Sequence, residues 1–243
     1  SESSLEAYGE FIKAGEQFFP PDPTETSATL GGMVSCNASG ARTHGYGPTR
    51  RYITGLKIVL ADGDTLTLSR GKLFADGRKL RITTDSRKKL DICLPTYKMP
   101  DSKNASGYFA ADGMDAIDLF IGSDGTLGII SQIRIELLPL PAEIWGCTCF
   151  FEDEKQALEF TDKIKKTDIN AVSLEYFDAR ALEILRAQKA EKTAFASLPQ
   201  IPENAVTAVY VELHSEDENS AAQQLFEVGS VIAEIGGDEN NTW

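Results

Sequence analysis

The sequence predicts an α+β fold in two units, and three observations carry that prediction. Residues 1–141 hold glycine-rich stretches between short alternating strands, whereas residues 142–243 alternate strand, helix, strand, helix, strand, helix. The charge changes at the same join: the first stretch carries 16 basic and 17 acidic side chains, net −1, and the second 8 and 20, net −12. The join itself reads Leu138-Pro139-Leu140-Pro141, where two prolines are expected to end an apolar strand and stop its ladder. We therefore place the units at 1–141 and 142–243, the second with the look of a solvated acidic cover.

Taken in order, Leu5, Tyr8, Phe11 and Ile12 recur at helical spacing behind a serine, predicting a short helix from about Ser4 to Glu16. Pro20-Pro21-Asp22-Pro23 forbids helix and sets an extended turn. Residues 29–47 are glycine-rich. Leu56, Ile58 and Leu60, the turn Asp62-Gly63, and Leu66 and Leu68 predict a hairpin, with a further strand at Lys79–Thr83. Met114–Ile121 reads as a short helix, 122–128 as a loop and Ile129–Leu137 as a strand with Ile133, Ile135 and Leu137 on one face. In the second unit, strands are expected at Ile144–Phe151, Val172–Phe177 and Val206–Leu213. Asp153 with Gln156 opens one helix, Ala179–Lys189 is another, and Ser215 with Glu218 caps a third running to about Ile235. The connection around 190–204 is polar and weakly patterned. The chain stops at Trp243 with no closing element, which reads as truncation.

Composition excludes several classes of function. With 42% hydrophobic and 25% charged residues the chain is an ordinary globular one, and no apolar run approaches the ~18 residues of a spanning helix. The N-terminus lacks the basic-then-apolar order of a signal peptide, so a cytoplasmic location is expected. A net charge of −13 argues against nucleic acid and anionic lipid as partners. Cys36, Cys93, Cys147 and Cys149 form no C-x-x-C pair and are expected as reduced thiols, the last two on one face of a strand. Only His44 and His214 are present, and neither His-Glu-x-x-His nor Gly-x-Ser-x-Gly occurs, so zinc, haem and serine-nucleophile chemistry drop out.

Two segments could carry chemistry. In Thr29-Leu30-Gly31-Gly32-Met33-Val34-Ser35-Cys36-Asn37-Ala38-Ser39-Gly40, adjacent glycines let backbone N–H groups approach a ligand, and Ser and Asn add donors, which suits a pyrophosphate or a flavin edge. A run of tight turns accounts for the same composition. Gly122-Ser123-Asp124-Gly125-Thr126-Leu127-Gly128 resembles a phosphate loop superficially, but it follows a helix and opens a strand, so no helix N-terminus is aimed at a ligand.

These residues, together with Pro20-Pro21-Asp22-Pro23, Tyr46-Gly47-Pro48-Thr49-Arg50, the hairpin from Gly55 to Gly63, Lys103-Asn104-Ala105-Ser106-Gly107-Tyr108 and the run through Ile129-Ile130, resemble the FAD-binding domain of the vanillyl-alcohol-oxidase or p-cresol-methylhydroxylase (PCMH) type. Within it the chain is most similar to the FAD/FMN-containing dehydrogenases of the glycolate oxidase, D-lactate dehydrogenase and alkyl-dihydroxyacetone-phosphate synthase group. The main blocks arrive in the family's order between residues 20 and 130. The resemblance implies the second half of a PCMH-type FAD-binding domain followed by the start of an α/β substrate cap, an internal fragment of an enzyme. It implies FAD contacts from Pro21, Asp22, Thr29, Gly31, Gly32, Ser35, Asn37, Ser39, Gly40, Tyr46 and Gly47, with Gly128 and Ile129 beside the adenosine. Asp124 stands where glutamate is more usual. Cys36 is not assigned a covalent flavin link, and His44 is expected to face solvent. The family's Arg-Gly-Gly-Gly type loop and the cap segment that binds substrate lie outside this chain, so catalytic residues are expected there. The implied reaction is oxidation of a small 2-hydroxy acid with electrons passed to an acceptor other than a nicotinamide. Non-redox flavin use of the ether-lipid synthase type and a cofactor-free interaction module are the alternatives.

Overall fold

The computed structural model of the protein describes residues 15–25, 27–105, 107–191, 198, 200–238 and 242. The helix expected from Ser4 lies almost wholly outside the described residues. The chain forms two units: residues 1–40 with 47–140, and residues 41–46 with 141–243. The last boundary, between Leu140 and Pro141, falls at the proline-marked join, while the six-residue excursion at 41–46 had no signal in the charge or strand pattern.

In the first unit β1 (Gln17–Phe18) precedes helix α1 (Leu30–Cys36). The strands β2 (Ile53–Val59) and β3 (Thr65–Ser69) form the expected hairpin, pairing Leu56 with Leu68 and Ile58 with Leu66. A separate antiparallel pair, β4 (Lys79–Thr83) and β5 (Lys89–Cys93), includes a strand that the sequence reading did not see. β5 escaped notice because its Leu90 and Ile92 are only half-buried and its neighbours are charged. The expected helix at 114–121 is shorter and tighter, a 3-10 turn at Ala116–Leu119 capped by the Asp115 carboxylate on the Ile117 amide. Strand β6 (Ile129–Ile135) lies on the other side of β2, giving the order β3-β2-β6. The core collects Ile53, Leu56, Ile58, Leu66, Leu80, Ile82, Ile117 and Ile121, each worth ~1.5–3 kcal/mol when fully buried. The prolines do not stop the ladder at the join. Strand β7 (Leu138–Pro139) pairs with β1, Pro139 opposite Gln17, and the Leu140 amide donates to the Glu16 carbonyl. Proline is tolerated there because only its missing N–H is lost in a two-residue ladder at an edge.

The second unit contains β8 (Glu143–Phe151), α2 (Glu154–Ile164), β9 (Ala171–Phe177), α3 (Ala179–Glu191), β10 (Thr207–Ser215) and α4 (Glu218–Glu234). The alternation is as expected, but every pairing is antiparallel because β10 enters between β8 and β9. Thr242 adds one antiparallel bridge on the outer side of β8, at Cys149. On one face of this sheet Cys147, Cys149, Val209, Val211 and Leu213 pack on Phe160 of α2 and Val228 and Ile232 of α4. On the other, Phe150 and Ala208 pack on Leu182 of α3. Asp153 caps α2 as expected, by accepting from the Lys155 amide. The cap of α4 is Asp217, accepting from the Ser220 amide, and not Ser215, which is the last residue of β10. Either residue satisfies a capping pattern locally, and the long β10 ladder decides the matter. The Arg186 guanidinium donates to the carbonyls of Pro202 and Ala205, so part of the polar connection is tied to α3.

Candidate functional site

Within the first unit, the two glycine-rich segments meet. Thr29 caps α1 by accepting from the Gly32 amide at 3.1 Å, so Gly31 and Gly32 stand in the first turn of a helix and not in a run of tight turns. Cβ atoms built at these glycines meet only Ile130 O at 3.9 Å and Thr29 Oγ1 at 3.1 Å, which leaves their outer faces open. α1 ends on Asn37 in the left-handed region, φ 49°. From that end Val34 O accepts from the Gly122 amide at 3.0 Å and Ser35 O from the Asp124 amide at 2.8 Å. Loop 122–128 is thereby fixed against α1, an association that neither segment's composition could announce. Gly128 and Ile129 follow at the start of β6, Ile129 being 73% exposed.

A set of side chains that the sequence reading did not assign to the site holds the Asn37 turn. Asn37 Oδ1 accepts from the Arg50 amide at 2.9 Å, and Ala38 O accepts from both the amide and the hydroxyl of Thr49. Arg50 reaches Asp118 Oδ1 at 3.1 Å and the carbonyls of Asp118 and Ile121, and lies 4.4 Å above the Phe109 ring. Arg70 binds the same carboxylate at 3.0 Å. Two guanidinium groups share one buried carboxylate, so the cluster keeps a net positive charge, and carbonyl oxygens accept from the remaining donors. The signal for this cluster was weak, because each residue is separately unremarkable in sequence. Asn37 and Arg50, with Lys103, Asn104 and Gly107, line a cavity of about 220 Å³.

Asp22, next to the buried Pro21, lies against the same stretch. A Cβ at Gly40 would fall 1.8 Å from Asp22 O, so only glycine permits this approach. Ser35 and Ser39 are half-buried, and their hydroxyl groups have no partner among the described residues. Cys36 is exposed, with its thiol pushed up by burial of its surroundings and by Asp124, the wrong direction for a reactive thiolate.

Two of the expected flavin residues part company. Gly47 stays with the first unit, whereas Tyr46 belongs to the second. His44, also in the second unit, is exposed. There, burial and the Lys165 charge lower its pKa. The four cysteines are unpaired, Cys147 and Cys149 lying buried with sulfurs 3.8 Å apart, and no group of three or more metal-ligating side chains occurs among the described residues. No helix among them is long and apolar enough to cross a membrane.

The site's residues fit a dinucleotide cofactor on three counts: an exposed pair of glycines, two hydroxyls without partners among the described residues, and a backbone hydrogen-bonded from behind. Comparison with known proteins points the same way. Residues 4–69 match the FAD binding domain family and residues 140–242 the C-terminal domain of FAD linked oxidases. The chain is 30% identical over 169 residues to the glycolate oxidase subunit GlcD of Bacillus subtilis and 29% identical over 166 residues to a D-lactate dehydrogenase of Archaeoglobus fulgidus. These alignments cover 69% and 68% of the chain but 28% and 29% of the relatives, so the chain spans less than a third of their length. The fold is similar to that of alkyldihydroxyacetonephosphate synthase, with a TM-score of 0.65 and 13% identity over 99% of this chain and 37% of that one.

Proposed function

The chain belongs to the FAD-linked oxidases, and from that premise we propose that it works within a longer flavoenzyme that oxidises a small 2-hydroxy acid of the glycolate or D-lactate type. The electrons pass to an acceptor other than a nicotinamide. The observation that carries the cofactor to this chain is the junction of α1 with loop 122–128, which presents Gly31, Gly32, Ser35 and Ser39 from one rigid frame. FAD, when bound, supplies the redox chemistry by taking up a hydride equivalent from the α-carbon of the hydroxy acid.

The chain's own residues bind and orient. Gly31 and Gly32 offer backbone without a Cβ to a pyrophosphate or flavin edge, and Ser35 and Ser39 offer hydroxyl donors. Thr29 and Asn37 set the two ends of α1, and Pro21-Asp22 and Gly40 close the wall. Met33 and Val34, 2% and 1% exposed, keep water from the inner side. Gly47 extends the same stretch, and Gly128-Ile129 lie by the adenosine. The group that takes the α-hydroxyl proton belongs to the C-terminal domain of the longer enzyme, as does the substrate pocket. The same reading puts the enzyme in the cytoplasm.

The test is FAD titration of the full-length protein followed by anaerobic dye reduction with glycolate, D-lactate and D-2-hydroxyglutarate. Stoichiometric flavin with reduction by one of them is the expected result. Flavin binding with no net oxidation of any hydroxy acid would overturn the reaction class in favour of the ether-lipid synthase type, and absence of flavin would overturn the reading as a whole.

A further inference from the structure

Arg50 joins the two glycine-rich segments, and all the residues it binds lie with it in the first unit. Its backbone amide donates to Asn37 Oδ1 at 2.9 Å, at the left-handed residue that ends α1. Its guanidinium serves the other segment. Nη1 donates to the Asp118 carbonyl at 2.6 Å and Nη2 to that of Ile121, the residue that leads into loop 122–128. One residue thus holds the end of α1 with its main chain and the entry to the loop with its side chain. Gly122 leaves room for this arrangement. At φ 82° it has no Cβ, and one built there would stand 3.2 Å from Asn37 Cβ and 3.4 Å from Arg50 Nη2.

The surroundings of Arg50 fix its direction. Asp118 Oδ1 accepts from Nη1 at 3.1 Å, and the Phe109 ring centre lies 4.4 Å from the guanidinium carbon. Arg70 adds a second hold: its Nη1 and Nη2 donate to the two Asp118 oxygens at 3.1 and 3.0 Å, and Nη2 also to the Arg50 carbonyl at 3.1 Å. The side chains of Arg50 and Asp118 are 18% and 12% exposed, so these are enclosed, charge-assisted contacts and not a surface ion pair.

We propose that Arg50 and Asp118 are positioning residues for the cofactor: Arg50 sets the spacing of α1 and loop 122–128, and Asp118 sets Arg50. The proposal rests on FAD binding by those two segments. With the bridge removed, the bonds from the Gly122 and Asp124 amides to Val34 O and Ser35 O lose their support. The two segments must then be ordered as the cofactor binds, and affinity falls accordingly.

The experiment measures, in the full-length protein, the FAD dissociation constant, the visible circular dichroism of the bound flavin, and amide hydrogen exchange in the apoprotein. Arg50→Met is expected to raise the dissociation constant roughly tenfold or more and to alter the flavin dichroism. Exchange at Gly122 and Asp124 should quicken, while the Leu94 amide, bonded to Arg78 O elsewhere in the unit, exchanges as in wild type. Further variants separate position from charge. Two arginines on one aspartate give the cluster one net positive charge, and Arg50→Met and Arg70→Met each cancel it, but only the first removes the bridge. Arg70→Met is expected to weaken binding by about threefold or less. Arg50→Met with Asp118→Asn restores the net charge without the bridge and is expected to bind no better than Arg50→Met. Arg50→Lys keeps the charge but lacks the guanidinium fork, so it reads the bridge where Arg50→Met fails to fold. A folded Arg50→Met or Arg50→Lys variant within about twofold of wild type, an Arg70→Met loss equal to that of Arg50→Met, or wild-type affinity in the double variant would overturn the proposal. A wild-type protein that does not bind FAD would instead overturn the functional reading beneath it.

Discussion

The hydroxyl of Tyr46 lies 2.7 Å from Nδ1 of His214, 168 positions further along the chain, and their rings stand 5.4 Å apart. Tyr46 follows the glycine-rich stretch so closely that sequence alone groups the two. The contact with β10 gives it to the other unit, through a histidine that carries no motif of its own.

The Gly40 approach to Asp22 is backbone against backbone and has no flexible side chain to yield. Gly40→Ala is expected to destabilise the first unit by about 1–3 kcal/mol through overpacking. Urea unfolding of the full-length protein checks this, and an unchanged midpoint would show that the wall is looser than its geometry.

Gly32 is exposed, and a Cβ there meets only Thr29 Oγ1 at 3.1 Å. Gly32→Val is therefore expected to abolish the yellow flavin absorbance while far-ultraviolet circular dichroism stays close to wild type. Flavin retained at wild-type affinity in Gly32→Val would remove α1 from the cofactor site.

Ser173, opposite Glu212 in the ladder, is fully buried and its hydroxyl has no hydrogen-bond partner among the described residues. Removing an unsatisfied buried hydroxyl relieves a desolvation cost. Ser173→Ala is expected to stabilise the second unit by about 1 kcal/mol, seen as a rise of roughly 4 °C in its melting temperature. A fall in that temperature would mean that the hydroxyl is satisfied in solution.

Burial alone would raise the pKa of Glu212, but hydrogen bonds from His214 and Arg42 and the Arg42 charge overcome it and hold the carboxyl at about 2, against an ordinary 4.5. A carboxylate with a depressed folded-state pKa contributes stability that is complete above its unfolded value and lost as pH falls toward its folded one. The stability gap between wild type and Glu212→Gln should thus be full at pH 6 and close progressively between about pH 4.5 and 2 in urea titrations. A gap that is constant across that window would show that the ionised form is not what the network stabilises.

Much of the architecture was legible in local pattern. The hairpin β2–β3 followed from alternating leucines and isoleucines around Asp62-Gly63, and α2 from its Asp153 cap, because strand alternation and capping are decided by neighbours in sequence. The glycine segment was legible as a place of close backbone approach for the same reason, and the Gly40 approach to Asp22 is such a contact. The cap of α4 read from the sequence, Ser215, proved to be the end of β10, and Asp217 caps the helix instead.

What remained hidden depends on residues meeting across long separations. The insertion of β10 between β8 and β9, the pairing of Pro139 with Gln17, the seating of loop 122–128 on α1, and the Arg50, Arg70 and Asp118 cluster all join segments whose own composition is neutral on the matter. The assignment of residues 41–46 to the second unit is the clearest case. By itself the sequence determined which stretches could be strand, helix or cradle. Only the tertiary structure decided which of them touch, because a buried carboxylate such as Glu212 takes whichever donors the packed chain brings to it, and neither Arg42 nor Tyr46 carries any local mark of that destination.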